Sequence, residues 1–176
     1  RQGRAQDARR ARLVSTHLVP GASGWVGRAL IDRLRSQGVR AVAWDRDHYP
    51  PTDPEAIEAC LADHEPTVVY HLAMCSAPTG VVDDEHERVN RDWPGALAKW
   101  CATHEARLVY TSSVMVYTDD LAGPFTPETE PDAHDGYGAL KLAVERLVRI
   151  QAPDHSAVCR LGWQLADEPT GNNMLR

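Results

Sequence analysis

The amino-acid sequence predicts an α/β fold: a doubly wound parallel sheet with helices on both faces. Short apolar runs alternate with stretches of helical periodicity from 13 to 161, the pattern of parallel strands joined by crossover helices. The run at 67–72 is short and apolar, as in a strand covered on both faces. A glycine-rich stretch, Gly21-Ala22-Ser23-Gly24-Trp25-Val26-Gly27, joins the first apolar run to the first helical one. A sharp strand-to-helix turn is needed at that point of such a sheet.

Each element follows from its residues. The first strand is read at 13–19, less apolar than a central strand usually is because of Ser15, Thr16 and His17. A helix over 25–37 places Val26, Leu30 and Leu34 on one face and stops at Gly38. The second strand, 39–44, ends at Asp45. A proline-bearing loop follows, in which Thr52 or Asp53 caps the next helix and Pro54 suits its first turn. That helix carries Ile57 and Leu61 and ends near His64. After the third strand at 67–72, a longer helix spans 84–104, with Pro94 expected to kink or break it. The fourth strand is 108–111, a polar connection covers 118–135, a helix covers 138–150, and the fifth strand is 156–161. The strand ends then share one sheet edge, where ligands bind in such folds. This is a Rossmann-type architecture, expected over 13–165, behind a basic tail at 1–12.

Composition narrows the function classes. The 176 residues suffice for one domain with a sizeable core. A net charge of −6 argues against a nucleic-acid partner. No apolar run is long enough to span a membrane, and the Arg-rich tail lacks the apolar core of a signal peptide. Cys60, Cys75, Cys101 and Cys159 form no CxxC pair, and the eight histidines form no HExxH. Reduced thiols, a cytoplasmic location and no metal are the expectation.

The glycine stretch reads as a dinucleotide turn. Gly21 lets the chain bend, Gly24 admits a pyrophosphate close to the backbone, and Gly27 allows tight packing of the helix. The free N–H groups of the turn and the positive end of the helix dipole hold phosphate there, with Ser23, Gly24, Trp25 and Val26 read as cofactor-binding. The spacing is GxxGxxG rather than GxGxxG, and an ordinary tight turn is the competing reading. Asp45 ends the second strand, where a carboxylate accepts ribose hydroxyls and repels a 2′-phosphate. That favours NAD, while Arg46 next to it leaves NADP possible; a strand-terminating aspartate in a turn is the alternative. Tyr137 and Lys141 stand four residues apart, so a helix brings them onto one face. A cation near a phenol lowers its pKa toward the neutral range, although such a pair also occurs on exposed helices without function. Thr111-Ser112-Ser113 ends the fourth strand, with hydroxyls able to bind a carbonyl oxygen or simply to form a turn.

Taken in that order along the chain, these residues resemble the extended short-chain dehydrogenase/reductase family over roughly 13 to 176. Within it they are most similar to sugar-nucleotide reductases of the dTDP-4-dehydrorhamnose reductase type. Thr52-Asp53-Pro54-Glu55-Ala56-Ile57, Val68-Val69-Tyr70-His71-Leu72-Ala73, Gly123-Pro124-Phe125, Arg160-Leu161-Gly162-Trp163 and Gly171-Asn172-Asn173 carry the likeness. The resemblance implies that Tyr137 is the proton donor, Lys141 its partner and a ribose ligand, and Ser113 the carbonyl-binding hydroxyl. It implies that Leu72 and Ala73 line the cofactor cleft and that Asn90 matches a family asparagine. Pro20 and Pro50 depart from the family pattern, and Val114-Met115 replace the acid pair of related dehydratases. The family continues into a substrate-binding region that this chain only begins, at 166–176.

What the resemblance implies is an NAD(P)-dependent reductase of a nucleotide-linked keto-sugar, with a homodimer possible. Two alternatives stay open: an epimerase of nucleotide-sugars with bound NAD, and a non-catalytic NAD-binding relative with a regulatory role.

Overall fold

A computed structural model of the chain describes residues 15–75 and 84–164. Five strands form one parallel sheet: β1 (Thr16–Val19), β2 (Arg40–Ala43), β3 (Val68–His71), β4 (Arg107–Ser113) and β5 (Ser156–Leu161), in the order β2-β1-β3-β4-β5. The chain winds outward from β1 to β2, then returns to the other side of β1. That reversal opens a crevice at the carboxyl ends of β1 and β3.

Alternate residues of the strands face opposite layers. Leu18, Val42, Val69, Leu108 and Tyr110 join the larger core, whereas Val19, Ala41 and Tyr70 join the smaller one. Helix α1 (Trp25–Ser36) covers the smaller side through Ile31 and Leu34. The larger side is packed by α2 (Pro54–His64) and two later helices, α4 (Trp93–Thr103) and α5 (Gly136–Gln151). Leu18, Leu97, Leu108 and Val144 are fully buried there, each such side chain stabilising the fold by about 1.5–3 kcal/mol.

The helix ends follow local chemistry. Asp53 caps α2, accepting from the Glu55 N–H at 3.0 Å, with Pro54 in the first turn. The helix expected at 84–104 divides into α3 (Asp84–Glu87), a π turn at Arg88–Asp92 and α4. Pro94 brings no N–H, and its ring crowds the carbonyl one turn back. The chain widens instead, and the Trp93 N–H reaches the Arg88 carbonyl.

Three expectations need correction. β4 runs through Ser113 rather than stopping at Thr111, because Thr111, Ser112 and Ser113 keep pairing with Cys159, Arg160 and Leu161. The last helix begins at Gly136, so Tyr137 lies in its first turn. β3 is not wholly apolar or covered on both faces: His71 is fully buried on one side, while Val68 and Tyr70 are only half-buried on the other. The tail at 1–12, the start of the first strand at 13 and 14, and the segment 166–176 with Gly171-Asn172-Asn173 lie outside the described residues. No described helix is long and apolar enough to cross a membrane. Among the described residues no group of acids, histidines or cysteines is arranged to hold a metal, and the four cysteines are free thiols.

Candidate active site

The glycine turn sits in the crevice between β1 and β3. Gly21 has φ +86, and a Cβ on it would lie 2.5 Å from the Ala73 nitrogen and 2.6 Å from the Leu72 carbonyl carbon. Leu72 is tied across the crevice by its N–H to the Pro20 carbonyl at 2.9 Å. Leu72 and Ala73 therefore face the glycine turn across the crevice. Gly27 packs against the turn itself rather than the sheet: a Cβ there would come within 2.8 Å of the Ala22 Cα. Gly24 is open, with only the Gly21 carbonyl within contact distance.

Gly24 starts α1 without a side-chain cap, and the first turn holds no acid. Those first N–H groups and the dipole suit an anion. Ser23, Gly24 and Trp25 are exposed at this end, and Val26 is half-buried. Arg28 donates from Nε to the Ser23 carbonyl at 2.8 Å and braces the loop. The uncapped turn and the close glycine approach fit a dinucleotide pyrophosphate.

Asp45 follows β2 at the same edge, and Arg46 beside it is exposed. One Asp45 oxygen accepts from the Asp47 and His48 N–H groups at 3.0 and 3.2 Å. The carboxylate thus organises its own turn with Oδ1. Asn90, on the π turn, is buried and spends its amide on Cys75: Oδ1 accepts from the Cys75 N–H at 2.9 Å, and Nδ2 donates to its carbonyl at 2.8 Å. It pins the chain that leaves β3.

Ser113, Tyr137 and Lys141 come together beyond β4. Ser113 is buried, and its Oγ accepts from the Met115 N–H at 3.1 Å, starting the single turn Val114–Val116. Burial raises the Tyr137 hydroxyl above its ordinary pKa, and a hydrogen bond with Ser113 opposes that rise. The Lys141 ammonium is 5.8 Å from the Tyr137 ring centre and 5.0 Å from that of Tyr110. It donates to the Thr111 carbonyl at 3.0 Å. Burial lowers it to about 8, with the Glu145 charge opposing. The contact that eases ionisation of Tyr137 is therefore the serine, while the lysine stands under the ring.

Gly138 and Glu145 carried no signal of their own in the sequence. Gly138 lets α5 dock on the 114–116 turn: a Cβ would overlap the Met115 carbonyl oxygen and lie 3.0 Å from its carbon. Glu145 is fully buried beneath Lys141 and paired with Arg160. Tyr117 accepts from Arg160 and stacks on Phe125 at 4.2 Å, anchoring the loop beyond β4. Met74, Val114, Met115, Phe125 and Trp163 are large apolar residues left exposed after the ends of β3, β4 and β5. They form an apolar rim on the edge that holds Tyr137. A separate cavity of about 420 Å³ opens between α2 and the π turn, lined in part by Thr52, Ile57, Arg88 and Trp93. None of the expected site residues lines it.

Residues 15–176 match the family model described as RmlD substrate binding domain. The chain is 33% identical over 151 residues to the dTDP-4-dehydrorhamnose reductase of Streptomyces griseus, covering 83% of this chain and 49% of the relative. It is 31% identical over 140 residues to methionine adenosyltransferase 2 subunit beta of Bos taurus, covering 74% and 42%. Among solved structures, dTDP-4-dehydrorhamnose reductase from Bacillus anthracis in complex with NADP superposes with a TM-score of 0.78 at 21% identity, covering 92% of this chain and 57% of the other. That likeness establishes the shared fold. The chain spans about half the length of the curated relatives it matches. By its matched residues, its sheet order and its glycine turn, the chain belongs to the RmlD substrate-binding domain family, on an extended short-chain dehydrogenase/reductase fold.

Proposed function

We propose that this chain forms the dinucleotide-binding part of an NAD(P)-dependent reductase acting on a nucleotide-linked keto-sugar. The observation that carries the reading is the Ser113–Tyr137–Lys141 cluster beside the uncapped N-terminus of α1, on one sheet edge. The Gly21–Gly27 turn holds the pyrophosphate, Leu72 and Ala73 wall the cleft, and Asp45 with Arg46 meets the adenosine ribose. A nicotinamide bound there would supply the hydride for the ketone carbon. Ser113 holds the ketone oxygen, and Tyr137 gives that oxygen its proton. Lys141, one turn along α5, supplies the positive charge that offsets the phenolate left behind. The apolar rim excludes water from the reacting carbon.

The test is oxidation of NADPH or NADH with a nucleotide-linked 4-keto sugar. Tyr137→Phe should lose about 10²–10⁴-fold in turnover while still binding the dinucleotide. Unchanged turnover in that variant rejects the mechanism.

A second reading is a dinucleotide-binding subunit without turnover. Its likeness to a protein named as a subunit favours it. It predicts a measurable Kd for NAD(P) with no keto-sugar reduced.

A further inference from the structure

Beneath the proposed proton donor, a line of charges runs away from the sheet edge. Tyr137, Lys141, Glu145 and Arg149 recur every fourth residue on α5, so they stack along one face. Glu145 is fully buried, and both of its oxygens are gripped by Arg160 of β5, from Nε at 3.0 Å and Nη2 at 2.8 Å. Arg149 reaches the same carboxylate at 3.5 Å from the surface. The remaining groups around the lysine are neutral or repulsive. His71 of β3 is fully buried, Tyr110 of β4 stands under the ammonium, and Thr111 offers a carbonyl.

A lysine this enclosed, at 7% exposure, loses its hydration and tends to give up its proton. Burial alone would also raise the Glu145 carboxyl. Hydrogen bonds from Arg160, with the charges of Arg160 and Arg149, hold it below the ordinary carboxylate range instead. Glu145 therefore stays an anion directly behind a cation that needs one.

We infer that Glu145, kept ionised by Arg160, is a positioning residue that keeps Lys141 protonated for its part in proton transfer at Tyr137. Arg160 has two opposed effects on Lys141: it sustains the carboxylate, and it competes for that carboxylate's field. Arg160 also donates to Tyr117 and lies over its ring at 5.2 Å, so the same ion pair ties the lysine to the loop that carries Phe125. The importance of Lys141's charge rests on the proposed reductase reading. The link between Glu145 and Lys141 does not.

The chain makes a direct test possible, because Lys99 and Lys141 are its only lysines. Protein labelled with ¹³C-lysine gives two side-chain signals, and exposed Lys99 serves as the internal reference. Titration without cofactor or substrate should place the Lys141 midpoint near the value of about 8. In Glu145→Gln, which keeps an acceptor for Arg160, the midpoint should fall by about one unit or more. In Arg160→Gln the undivided carboxylate should move it upward. Opposite shifts, with the Lys99 midpoint constant, are a signature that mere loss of packing does not produce. If Glu145→Gln fails to fold, Glu145→Asp, which draws the same charge back by one methylene, carries the test in its place and should also lower the Lys141 midpoint. An unmoved Lys141 midpoint in a folded Glu145 variant overturns the inference. Absence of keto-sugar turnover in the parent chain, with these shifts intact, would count against the reductase reading only.

Discussion

Gly138 offers the sharpest check on how the site is built. Its Cα faces the Met115 backbone so closely that an added methyl would overlap the carbonyl oxygen and sit 3.0 Å from both the Met115 carbon and the Ala133 Cβ. Carbon contacts settle at about 3.5–4.0 Å, so Gly138→Ala must push the first turn of α5 away from the 114–116 turn by roughly an ångström. Both colliding groups are tied down, since Ser113 caps that turn and the Ala133 N–H bonds the Val116 carbonyl at 3.0 Å. Overpacking of this kind costs about 1–3 kcal/mol, of which the better helix propensity of alanine returns up to about 1 kcal/mol. A net loss of about 1–2 kcal/mol lowers Tm by about 2–8 °C in a chain of this size. The larger effect falls on Tyr137, the preceding residue, whose hydroxyl loses Ser113. Misplacement by about 1 Å costs on the order of 10²-fold in rate. Thermal denaturation, ultraviolet titration of the tyrosines and NAD(P) binding are the assays. The variant should bind dinucleotide as before, because the glycine turn lies on other strands, while one tyrosine titrates higher than in the parent. A variant with parental Tm and parental tyrosine titration would refute the claim that this glycine seats the proton donor.

Gly27→Ala should act on the opposite half of the crevice, forcing α1 off the Ala22 backbone. Isothermal titration should record at least a tenfold weaker Kd for NAD(P), about 1.4 kcal/mol, with Tyr137 titrating normally. Asp45→Asn removes the charge that repels a 2′-phosphate, and the ratio of NADPH to NADH affinity should rise about tenfold, or about 1.4 kcal/mol; an unchanged ratio would confine Asp45 to the turn its Oδ1 already holds. His71 tests the core. Burial lowers its pKa to about 3, aided by the Lys141 charge, and neither ring nitrogen has a hydrogen-bond partner among the described residues. Below the unfolded value of 6.5 the unfolded chain takes up a proton that the folded one refuses, so stability falls as pH drops from there toward about 3. That amounts to about 2–3 kcal/mol at pH ~4.5. Urea unfolding of His71→Leu should lose this part of the decline, and an equally steep decline would show that other groups cause it.

The strand and helix pattern was readable because its signals are local. Apolar alternation, the Asp53-Pro54 cap and the Gly38 stop each act within a few residues, and each falls where expected. Gly21 and Gly27 were recognisable as special, since only glycine tolerates the turn and the close approach. Pro94 announced an interruption, although not its form as a π turn. The four-residue interval between Tyr137 and Lys141 predicted one shared helix face, which the first two turns of α5 supply.

Charge states and partners were decided elsewhere. Nothing local says that Glu145 is buried, because its Arg160 partner comes from β5, brought alongside by sheet pairing. Ser113 meets Tyr137 because β4 extends further than its apolar run and because Gly138 lets a helix approach a distant turn. Desolvation of Lys141 depends on β3 and β4 closing beneath it. Periodicity and turn chemistry are properties of neighbours along the chain and survive in the sequence. Burial and ion pairing are properties of neighbours in space, and they arise only once the sheet has brought those neighbours together.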